Sequence, residues 1–350
     1  MSDILESVVE PLVTWFQRVS RPLPWREEPT PYHVWLSEIM LQQTRIEAVI
    51  PYYLRFLSLY PTVSALANAD DDALMKAWEG LGYYSRARNL KKAAVMLNEN
   101  GGQLPKTKAE LLTLPGIGDY TAGAIASIAY GQPEPAVDGN VLRVYARLLG
   151  DERNILLPAV KKEATVRLAA VYPTGENASY LTQALMELGE TVCIPNGAPR
   201  CDKCPVAALC TAQKNGIEDK LPLREKDKTR KKEQRTVLLL FDESGNVAVR
   251  KRPPTGLLAS LYEFPNVAEH LDENGAREAV ASLGLSPVSI TDAGTARHLF
   301  THIEWEMRGY RVTVEEPTGD GLLFVSPSAL LNRYAVASAF RFYKKQVVED

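Results

Sequence analysis

The stretch LPGIGDYTAGAIASIAYGQPEPAVDGNVLR, residues 114–143, contains the pattern that decides the fold. Gly116 and Gly118 form a tight turn before a helix of small residues, and glycine tolerates the positive φ that such turns require. Asp119 or Thr121 is expected to cap this helix. The first amides of a helix have no partner within it, so this turn suits a phosphate group. An ordinary helix-turn-helix corner is the alternative for this segment alone.

Two carboxylates form a candidate acid and base pair. Asp138 lies in the turn Val-Asp-Gly-Asn, where it would cap the following helix, VLRVYARLL. Glu38 lies in VWLSEIMLQQT among large apolar residues, which raise the pKa of a carboxyl group and keep it protonated, as a general acid must be. A surface glutamate is the simpler interpretation of that segment by itself. A protonated glutamate with an ionised aspartate is the arrangement that cleaves a glycosidic bond.

Composition limits the class of protein. The chain has 350 residues, 45% of them hydrophobic, and a formal net charge of -3, so it is long enough for two or three domains. A nucleic-acid footprint must therefore be local. No apolar run approaches the roughly 18 residues of a membrane span, and the start MSDILESVVEPL is acidic, unlike a signal peptide. We expect a cytoplasmic protein that does not bind membranes.

All four cysteines fall in one short segment with the spacing C-x7-C-x2-C-x5-C: Cys193, Cys201, Cys204 and Cys210. In a reducing compartment such a group indicates metal ligation and not a disulfide framework. Four thiolates in one loop suit either tetrahedral zinc or a [4Fe-4S] cluster, and the spacing alone does not choose between them. Four buried free thiols are the structural alternative.

The distribution of patterns predicts two domains. Apolar residues recur at helical spacing through residues 1–217, which predicts an all-α domain that includes the cysteine loop at 193–210. Residues 218–235 are rich in charge and have no periodicity, which predicts a basic linker. Residues 236–350 mix strand patterns, among them LYEFP, HLFTHIEWEM and GLLFV, with helices near 268–282 and 334–348. This predicts a smaller α+β domain.

The segment GLGYYSRARNLKK, residues 80–92, joins a glycine turn and two tyrosines to several basic residues, and Lys76 lies nearby. Aromatic rings insert into a base stack while Lys and Arg hold phosphates. Arg86 is therefore a candidate DNA contact. A tyrosine core beside a solvated helix face is the simpler alternative for this segment alone.

Seven segments in order then give a specific resemblance: LPWR, PYHVWLSEIMLQQT, GLGYYSRARNL, LPGIGDYTAG, VDGNV, QALMELGETVC and the cysteine loop. Together they resemble the A/G-specific adenine DNA glycosylases of the MutY type, in the helix-hairpin-helix superfamily that also contains endonuclease III. The resemblance is dense over about residues 20–212 and looser beyond. It implies removal of adenine opposite 8-oxoguanine or guanine in double-stranded DNA, by a protein expected to be monomeric.

The resemblance implies roles for individual catalytic residues. Glu38 falls on the acid that protonates the imidazole-ring nitrogen of the extruded adenine, and Asp138 falls on the carboxylate that stabilises the sugar cation. Asn140 and Tyr120 match residues of the same pocket. The residues that match positions contacting the flipped adenine are Trp25, Arg26 and Gln183. Extrusion itself is expected, because an enzyme that acts on a base in a duplex must take it out of the stack.

It also implies the DNA contacts and the cofactor. Gln43 and Tyr83 match side chains that enter the duplex near the opposite base, with Thr44 and Leu81 beside them. Gly116 and Gly118 match the hairpin that grips the backbone. The four cysteines match the ligands of one [4Fe-4S] cluster, which favours iron-sulfur over zinc. The gap between the first two cysteines is one residue longer than the family usually has, so that loop is expected to bulge.

The C-terminal part resembles the Nudix-like domain with which this family reads 8-oxoguanine, most clearly in KRPPTGLLASLYEFP. The stretch after Glu263 lacks the R-E-x-x-E-E pattern of a working Nudix hydrolase, so we expect recognition without hydrolysis. Phe300, Thr301 and His302 fall where relatives commonly have Phe-Ser-His. Threonine in place of serine keeps a hydroxyl group and could alter the fit to the damaged base.

Two positions bear on strand cleavage. Bifunctional relatives have a Schiff-base lysine in the hairpin, where this chain has Tyr120, and some adenine glycosylases have one after the Asp-Gly-Asn-Val turn, where this chain has Leu142. Without an amine nucleophile at either place, we predict a monofunctional glycosylase. Three alternatives remain: a bifunctional enzyme for oxidised pyrimidines, a DNA-binding module without catalysis, and a Nudix hydrolase.

Overall fold

The computed structural model describes residues 3–195, 197–225, 230–315, 317–319 and 321–349. The chain forms two compact units, one of residues 1–68 and 88–227, the other of residues 69–87 and 228–350. The boundary differs from the expectation that residues 1–217 form one domain, since residues 69–87 group with the C-terminal part. Within this second unit, Asp72 pairs with Lys251 and accepts from Tyr262 Oη, and Glu79 pairs with Lys344 at 2.6 Å.

The first unit is helical. Its helices are α1 (Ile4–Ser7), α2 (Val9–Val19), α3 (Pro24–Glu27), α4 (Pro31–Leu41), α5 (Ile46–Leu59) and α6 (Val63–Ala67), then α8 (Ser85–Glu99, which begins in the second unit), α9 (Lys108–Leu111), α10 (Asp119–Ala124), α11 (Gly139–Leu149), α12 (Pro158–Ala169), α13 (Glu176–Thr191) and α14 (Thr211–Asn215). The second unit contributes α7 (Asp71–Ala77) between α6 and α8. A π-helical turn, Ile125–Ala129, continues α10 directly, and the cysteine loop contains 3-10 turns at Cys201–Lys203 and Ala207–Leu209.

The core that supports the later site lies between α2, α11, α12 and α13. Phe16, Tyr145 and Leu185 are buried in one apolar cluster, and three of the cysteine side chains pack against its edge. Helix α11 is well delimited: Asp138 Oδ1 accepts from the Val141 amide at its start, and Gly150 takes the left-handed conformation at its end. The core thus fixes the direction in which the Asp138 turn points.

The second unit contains a seven-stranded sheet with helices. The strands are β1 (Lys231–Phe241), β2 (Val247–Lys251), β3 (Tyr262–Glu263), β4 (Asn266–Val267), β5 (Pro287–Leu299), β6 (Ile303–Val314) and β7 (Leu323–Val325). The principal order is β3-β2-β1-β6-β5, with β4 paired to β1 and β7 to β2. The helices of this part are α15 (Glu273–Ser282), α16 (Pro327–Asn332) and α17 (Arg341–Glu349), with a 3-10 turn at Ser338–Phe340.

Two sequence expectations are corrected in this sheet. Residues 231–235, expected in the linker, belong to β1, because β1 pairs in parallel with β6 from Lys231 opposite Ile303 onward. The linker residues 226–229 lie outside the described residues. HLFTHIEWEM was expected to be one strand, but it spans the end of β5, a turn at 300–302 and the start of β6. The Phe300 amide closes that turn on the Ile303 carbonyl at 2.8 Å.

The architecture expected from the sequence, a helical domain followed by a smaller α+β domain, is confirmed. Helical spacing was sufficient to locate the long helices of the first unit. Within the part of the chain that the structure describes, no helix has both the length and the apolar character needed to cross a membrane.

A close contact between α11 and α13 gives a prediction about stability. A Cβ added at Gly189 would lie 2.7 Å from Asn140 Cβ, so Gly189→Ala must push the two helices apart. We expect a loss of about 1–2 kcal/mol in the free energy of unfolding, although alanine favours a helix. Denaturation followed by helical circular dichroism measures it. Gly118→Ala is the control, because its Cβ would meet nothing within 4 Å; equal effects of the two changes would contradict the contact.

Candidate active site

A cavity of about 580 Å³ in the first unit collects ten of the site residues that the sequence singled out, including all of the catalytic and adenine-pocket residues. It lies among the N-terminal segment, α4, the start of α10, the start of α11 and α13. Ten predicted site residues line it: Trp25, Arg26, Glu38, Gln43, Thr44, Gly118, Tyr120, Asp138, Asn140 and Gln183. Residues that are far apart in sequence therefore converge on one pocket of a size typical for small ligands.

Glu38 is a buried carboxyl group at the inner end of this cavity. Its residue is 5% exposed, and its Oε2 accepts a hydrogen bond of 2.7 Å from Tyr120 Oη. The pKa of Glu38 is raised to about 7: burial is the largest cause and the negative charge of Asp138 adds to it, while the Tyr120 hydrogen bond and Arg26 act in the opposite direction. The expectation that Glu38 lies among apolar neighbours with a raised pKa agrees with this placement, and the surface alternative does not.

Tyr120 is positioned by the glycine turn. Gly116 has φ of +79°, and a Cβ there would lie 2.7 Å from Asn89 Cβ, so this position requires glycine. Gly118 has φ of -99° and is itself the N-cap of α10, without any side-chain cap. The expectation that Asp119 or Thr121 caps α10 is therefore wrong. Burial and the nearby carboxylates raise the pKa of Tyr120 well above its ordinary value, so the phenol keeps its proton and remains a donor to Glu38.

Asp138 both caps α11 and lines the cavity, so its two interpretations are compatible. Its Oδ1 accepts from the Val141 amide at 2.8 Å and its Oδ2 accepts from Asn140 Nδ2 at 3.0 Å. Burial raises the pKa of Asp138 from its ordinary value, while these hydrogen bonds and the charge of Arg143 oppose that change. Donors on both oxygens favour the ionised form, which a cation-stabilising carboxylate requires.

Arg143 connects the Asp138 turn to the cysteine loop. This buried arginine donates from Nη2 to Asn140 Oδ1 at 2.8 Å and to the Gly189 carbonyl at 2.6 Å, and from Nε to the Cys193 carbonyl at 2.7 Å. Asn140 in turn donates to Asp138. The orientation of Asp138 therefore depends on the backbone at the first cysteine, a relation that the sequence did not reveal.

The other wall of the cavity carries an ion-pair network that sequence reasoning missed. Glu187 is buried and accepts from Arg26 Nη2 at 2.8 Å and from Arg21 Nε, while Arg21 Nη2 donates to Glu190 at 2.7 Å. Arg26 Nε also donates to Gln183 Oε1 at 2.9 Å. A signal was present: Gln183, Glu187 and Glu190 have the spacing i, i+4, i+7, which places polar groups on one face of α13.

The four cysteines line one small, largely apolar cavity between α11, α13 and the loop. Arg147 Nη1 lies 3.2 Å from Cys193 Sγ, and Cys210 Sγ lies 3.3 Å from the Arg147 carbonyl. No three His, Cys, Asp or Glu groups among the described residues are placed to hold a single metal ion. Four thiolates around one cavity suit either a tetrahedral zinc ion or a [4Fe-4S] cluster.

The path of the loop between the first two cysteines is only partly described. The Arg200 amide donates to the Val192 carbonyl at 2.9 Å, which closes the loop just before Cys201. Asn196, within the segment expected to bulge, lies outside the described residues.

The second unit brings together the residues expected to read the opposite base. Tyr83 is 48% exposed, and its hydroxyl lies 3.3 Å from Thr301 Oγ1. Phe300 packs edge-on against Trp305, with 4.9 Å between ring centroids, and His302 is exposed beside Thr301. A phenol and a hydroxyl at the surface, next to an anchored aromatic ring, are suited to contact a base edge.

Two residues of the 80–92 segment, Arg86 and Leu81, and the nearby Lys76 are placed differently from the sequence hypothesis. Arg86 is 7% exposed, and its Nη2 donates to the carbonyls of Leu81 and Gly82 at 2.9 and 3.1 Å. It therefore holds the loop from inside and is not placed to bind a phosphate. Leu81 is also buried. Lys76 is engaged by Glu79 and by the Tyr334 carbonyl. Tyr83 alone of the predicted contacts in this segment is well exposed.

Backbone strain marks the two side chains expected to enter the duplex. Gln43 has φ of +58° and Tyr83 has φ of +46°, and only Leu258 and Ser260 share positive φ among the other non-glycine residues that the structure describes. Such conformations cost about 1–3 kcal/mol and concentrate at functional sites. The strain supports the hypothesis that both exposed side chains have a role beyond folding.

Comparison with known proteins places this site in a family. A model described as "HhH-GPD superfamily base excision DNA repair protein" matches residues 36–169, and a NUDIX domain model matches residues 236–346. The chain is 33% identical to the adenine DNA glycosylase of Homo sapiens, over 88% of this chain and 67% of that protein. The adenine DNA glycosylase of Buchnera aphidicola subsp. Baizongia pistaciae is 31% identical, over 75% of this chain and 74% of that protein. The chain belongs to the adenine DNA glycosylase family.

Solved structures agree with this membership. A structure described as a thermostable thymine-DNA glycosylase has a TM-score of 0.54 at 27% identity and covers 61% of this chain and 97% of its own. A trapped endonuclease III-DNA covalent intermediate has a TM-score of 0.51 at 25% identity. The match covers 62% of this chain and 100% of that one. The helix-hairpin-helix domain and the resemblance to the adenine DNA glycosylases, both expected from the sequence, are thus confirmed.

The hydrogen bond between Tyr120 and Glu38 gives a prediction about pH dependence in this adenine DNA glycosylase family member. An acid that must be protonated works below its pKa, so activity should fall as pH rises through about 7. Tyr120→Phe removes a donor that stabilises ionised Glu38, so the pKa of Glu38 should rise. The fall in activity on the alkaline side of the pH-rate profile should then move to higher pH. Single-turnover rates of base removal across pH measure both. If the alkaline fall in activity of Tyr120→Phe is unchanged or moves to lower pH, the assignment of Glu38 as the acid is contradicted.

Proposed function

We propose that this protein hydrolyses the N-glycosidic bond of an adenine extruded from double-stranded DNA and leaves an abasic site. One observation carries the proposal: Glu38, with a pKa near 7, lines the same cavity as Asp138, which has donors on both of its oxygens. A proton donor and an anion on one pocket are what departure of a base from a sugar cation requires. Its membership of the adenine DNA glycosylase family supports adenine as the base.

Each group then has a defined task. Glu38 gives its proton to a ring nitrogen of adenine, so the base leaves neutral as the bond to C1′ breaks. Ionised Asp138 stabilises the positive charge that develops on the sugar, and Asn140 fixes the Asp138 carboxylate through its Nδ2 hydrogen bond. Water adds at C1′ and its proton passes to a carboxylate. Tyr120 holds the acid in place at 2.7 Å.

Recognition of the adenine uses the opposite wall of the cavity. Arg26 and Gln183 already hydrogen-bond each other, so both have polar groups at the cavity surface where the edge of a base would lie. Trp25 lines the same wall and is itself held edge-on by Tyr53 at 5.4 Å. Buried polar groups with defined partners discriminate between bases, because a wrong base leaves them without a partner.

For the opposite base we propose 8-oxoguanine or guanine, read by the second unit. Tyr83 and Thr301 present adjacent hydroxyl groups, and Phe300 anchors the turn that carries Thr301 and His302. Gln43 is proposed to enter the duplex, with Thr44 beside it, and the Gly116–Gly118 turn to hold the phosphate backbone. The similarity of residues 236–346 to NUDIX domains supports recognition of an oxidised purine.

We propose that Cys193, Cys201, Cys204 and Cys210 hold one [4Fe-4S] cluster. When bound, the cluster would connect the chain just after α13, at Cys193, to the start of α14, at Cys210, and would supply a local charge. Arg147 lies against the Cys193 thiol and donates to the Ile194 carbonyl, which suits a loop that surrounds an anionic group. Through Arg143, the same loop supports Asn140 and Asp138.

Release of the base without strand cleavage is also part of the proposal. Position 120 holds a tyrosine committed to Glu38, and Leu142 is buried, so neither offers an amine. The sequence hypothesis did not consider Lys161, an exposed lysine of α12 that also lines the cavity. This lysine is the specific observation that favours the bifunctional alternative.

The central test is a glycosylase assay on duplex DNA with adenine opposite 8-oxoguanine, read as strand breaks after alkali. We expect cleavage by the unaltered protein and a fall of at least about a hundredfold for Glu38→Gln, the scale of general-acid catalysis. Glu47→Gln is the matched control, since Glu47 is exposed on the neighbouring helix α5. Retained activity in Glu38→Gln would contradict the assigned acid.

Lyase activity needs its own test. The same duplex incubated without alkali, in the presence and absence of borohydride, should show neither strand breaks nor a trapped protein-DNA adduct. A trapped adduct that disappears in Lys161→Gln but persists in Lys162→Gln would replace the monofunctional assignment by a bifunctional one. Lys162 is the control because it is exposed on the same helix and does not line the cavity.

The metal assignment predicts a visible spectrum. Protein purified without oxygen should be brown, with broad absorbance near roughly 400 nm from iron-sulfur charge transfer and about four irons per chain. Cys204→Ser should weaken this absorbance and destabilise the loop, since Cys204 packs against the core of the first unit. A colourless protein that contains one zinc per chain would contradict the cluster.

A further inference from the structure

A second cavity, of about 700 Å³, adjoins the first within the same unit. Five residues line both cavities: Arg21, Leu23, Arg26, Ile128 and Gln183. Because these side chains line both cavities, only a single layer of side chains separates the two cavities at this place. The wall therefore coincides with the proposed adenine-binding side of the active site, and the second cavity lies directly behind it.

The wall is held by contacts between side chains. Arg26 Nε donates to Gln183 Oε1 at 2.9 Å, and Gln183 Nε2 donates to Ser179 Oγ at 3.2 Å. The two residues lie on different helices, α3 and α13, so rotation of the Gln183 side chain separates them without moving the backbone. Ile128, on the same wall, belongs to the π-helical turn, and π-turns of this kind are frequent at functional sites.

The second cavity has a surface that suits a planar heteroaromatic molecule. Phe16, Tyr130 and Tyr180 contribute aromatic rings, and Ser179 and Gln183 contribute hydroxyl and amide groups. Pockets that combine aromatic surface with a few polar groups are typical of sites for small flat ligands. Its volume is similar to that of the first cavity, which leaves room for a molecule of the size of a base.

The geometry of the proposed reaction creates a need for this space. A duplex bound with its sugar at Asp138 covers the mouth of the first cavity, so a cleaved adenine is enclosed between the DNA and the wall. We propose that the free adenine leaves through the second cavity, past Arg26 and Gln183, while the abasic DNA is still bound. The inference rests on the proposed function, because it concerns the base that this function releases.

The experiment follows the base and the DNA separately in a single turnover. The unaltered protein, in excess over a duplex with adenine opposite 8-oxoguanine and a fluorescent end label, is mixed with adenine deaminase, which acts only on adenine in solution. Absorbance reports free adenine, fluorescence anisotropy reports DNA release, and alkali-treated samples report bond cleavage. We expect free adenine to appear at the rate of cleavage and well before the DNA dissociates.

Two variants obstruct the second cavity without touching the first. Glu176→Trp covers its exposed rim and Ala129→Phe fills it from the π-turn side, and neither residue lines the first cavity. Both should leave cleavage unchanged and delay free adenine at least about tenfold, or about 1.4 kcal/mol in the barrier. Asn177→Trp, next to Glu176 and exposed but absent from both cavities, should behave like the unaltered protein.

The outcomes separate this inference from the proposed function. If no alkali-sensitive site forms, the proposed function fails. If cleavage occurs but free adenine appears only as the DNA dissociates in the unaltered protein, the exit through the second cavity is wrong. It is equally wrong if both obstructing variants fold, cleave normally and release adenine as fast as the Asn177→Trp control.

Discussion

The burial of one carboxyl group, Glu38, is the constraint on which the rest of the site depends. Its pKa near 7, against an ordinary 4.5, corresponds to roughly 3 kcal/mol of added cost for the ionised form. The hydrogen bond of 2.7 Å from Tyr120 offsets part of that cost, because it stabilises the ionised form of Glu38. Burial and the Tyr120 hydrogen bond together leave Glu38 partly protonated at neutral pH and still able to donate its proton. Because Tyr120 lies in the first turn of α10, directly after the glycine turn, the segment proposed to hold DNA also affects the pKa of the acid.

A second chain of contacts runs from the cysteine loop to the other carboxylate. Cys193 and Gly189 offer carbonyls to Arg143, Arg143 donates to Asn140, and Asn140 donates to Asp138. Each member is buried or half-buried, and loss of one leaves a polar group without its partner, at a typical cost of about 1–3 kcal/mol. A cluster in this loop would therefore affect catalysis through geometry, by holding Asp138 in its turn, and no electron transfer is needed for that effect.

The sequence was informative wherever a local rule determines the structure. Apolar spacing located the long helices, Asp138 was recognisable as a cap, and a carboxyl group among apolar residues indicated a raised pKa for Glu38. Contacts between distant segments were not predictable: the network of Arg21, Arg26 and Glu187 depends on how α13 packs against the N-terminal segment. The inward orientation of Arg86 was missed for the same reason, since its partners are carbonyl groups that composition does not reveal. Strand β6 was only partly located, because HLFTHIEWEM was expected to be one strand although the turn at 300–302 separates β5 from β6.

The account depends most directly on the protonation state of Glu38. Infrared difference spectroscopy of protein labelled with ¹³C at its glutamate carboxyl groups measures it without substrate, by titration of the unaltered protein against Glu38→Gln. We predict one carboxyl band that loses its proton near pH 7 and is absent from the variant. If the protonated-carboxyl band that Glu38→Gln lacks is already absent from the unaltered protein at pH 5.5, roughly 1.5 pH units below that pKa, then Glu38 is ionised there and its role as the acid is contradicted.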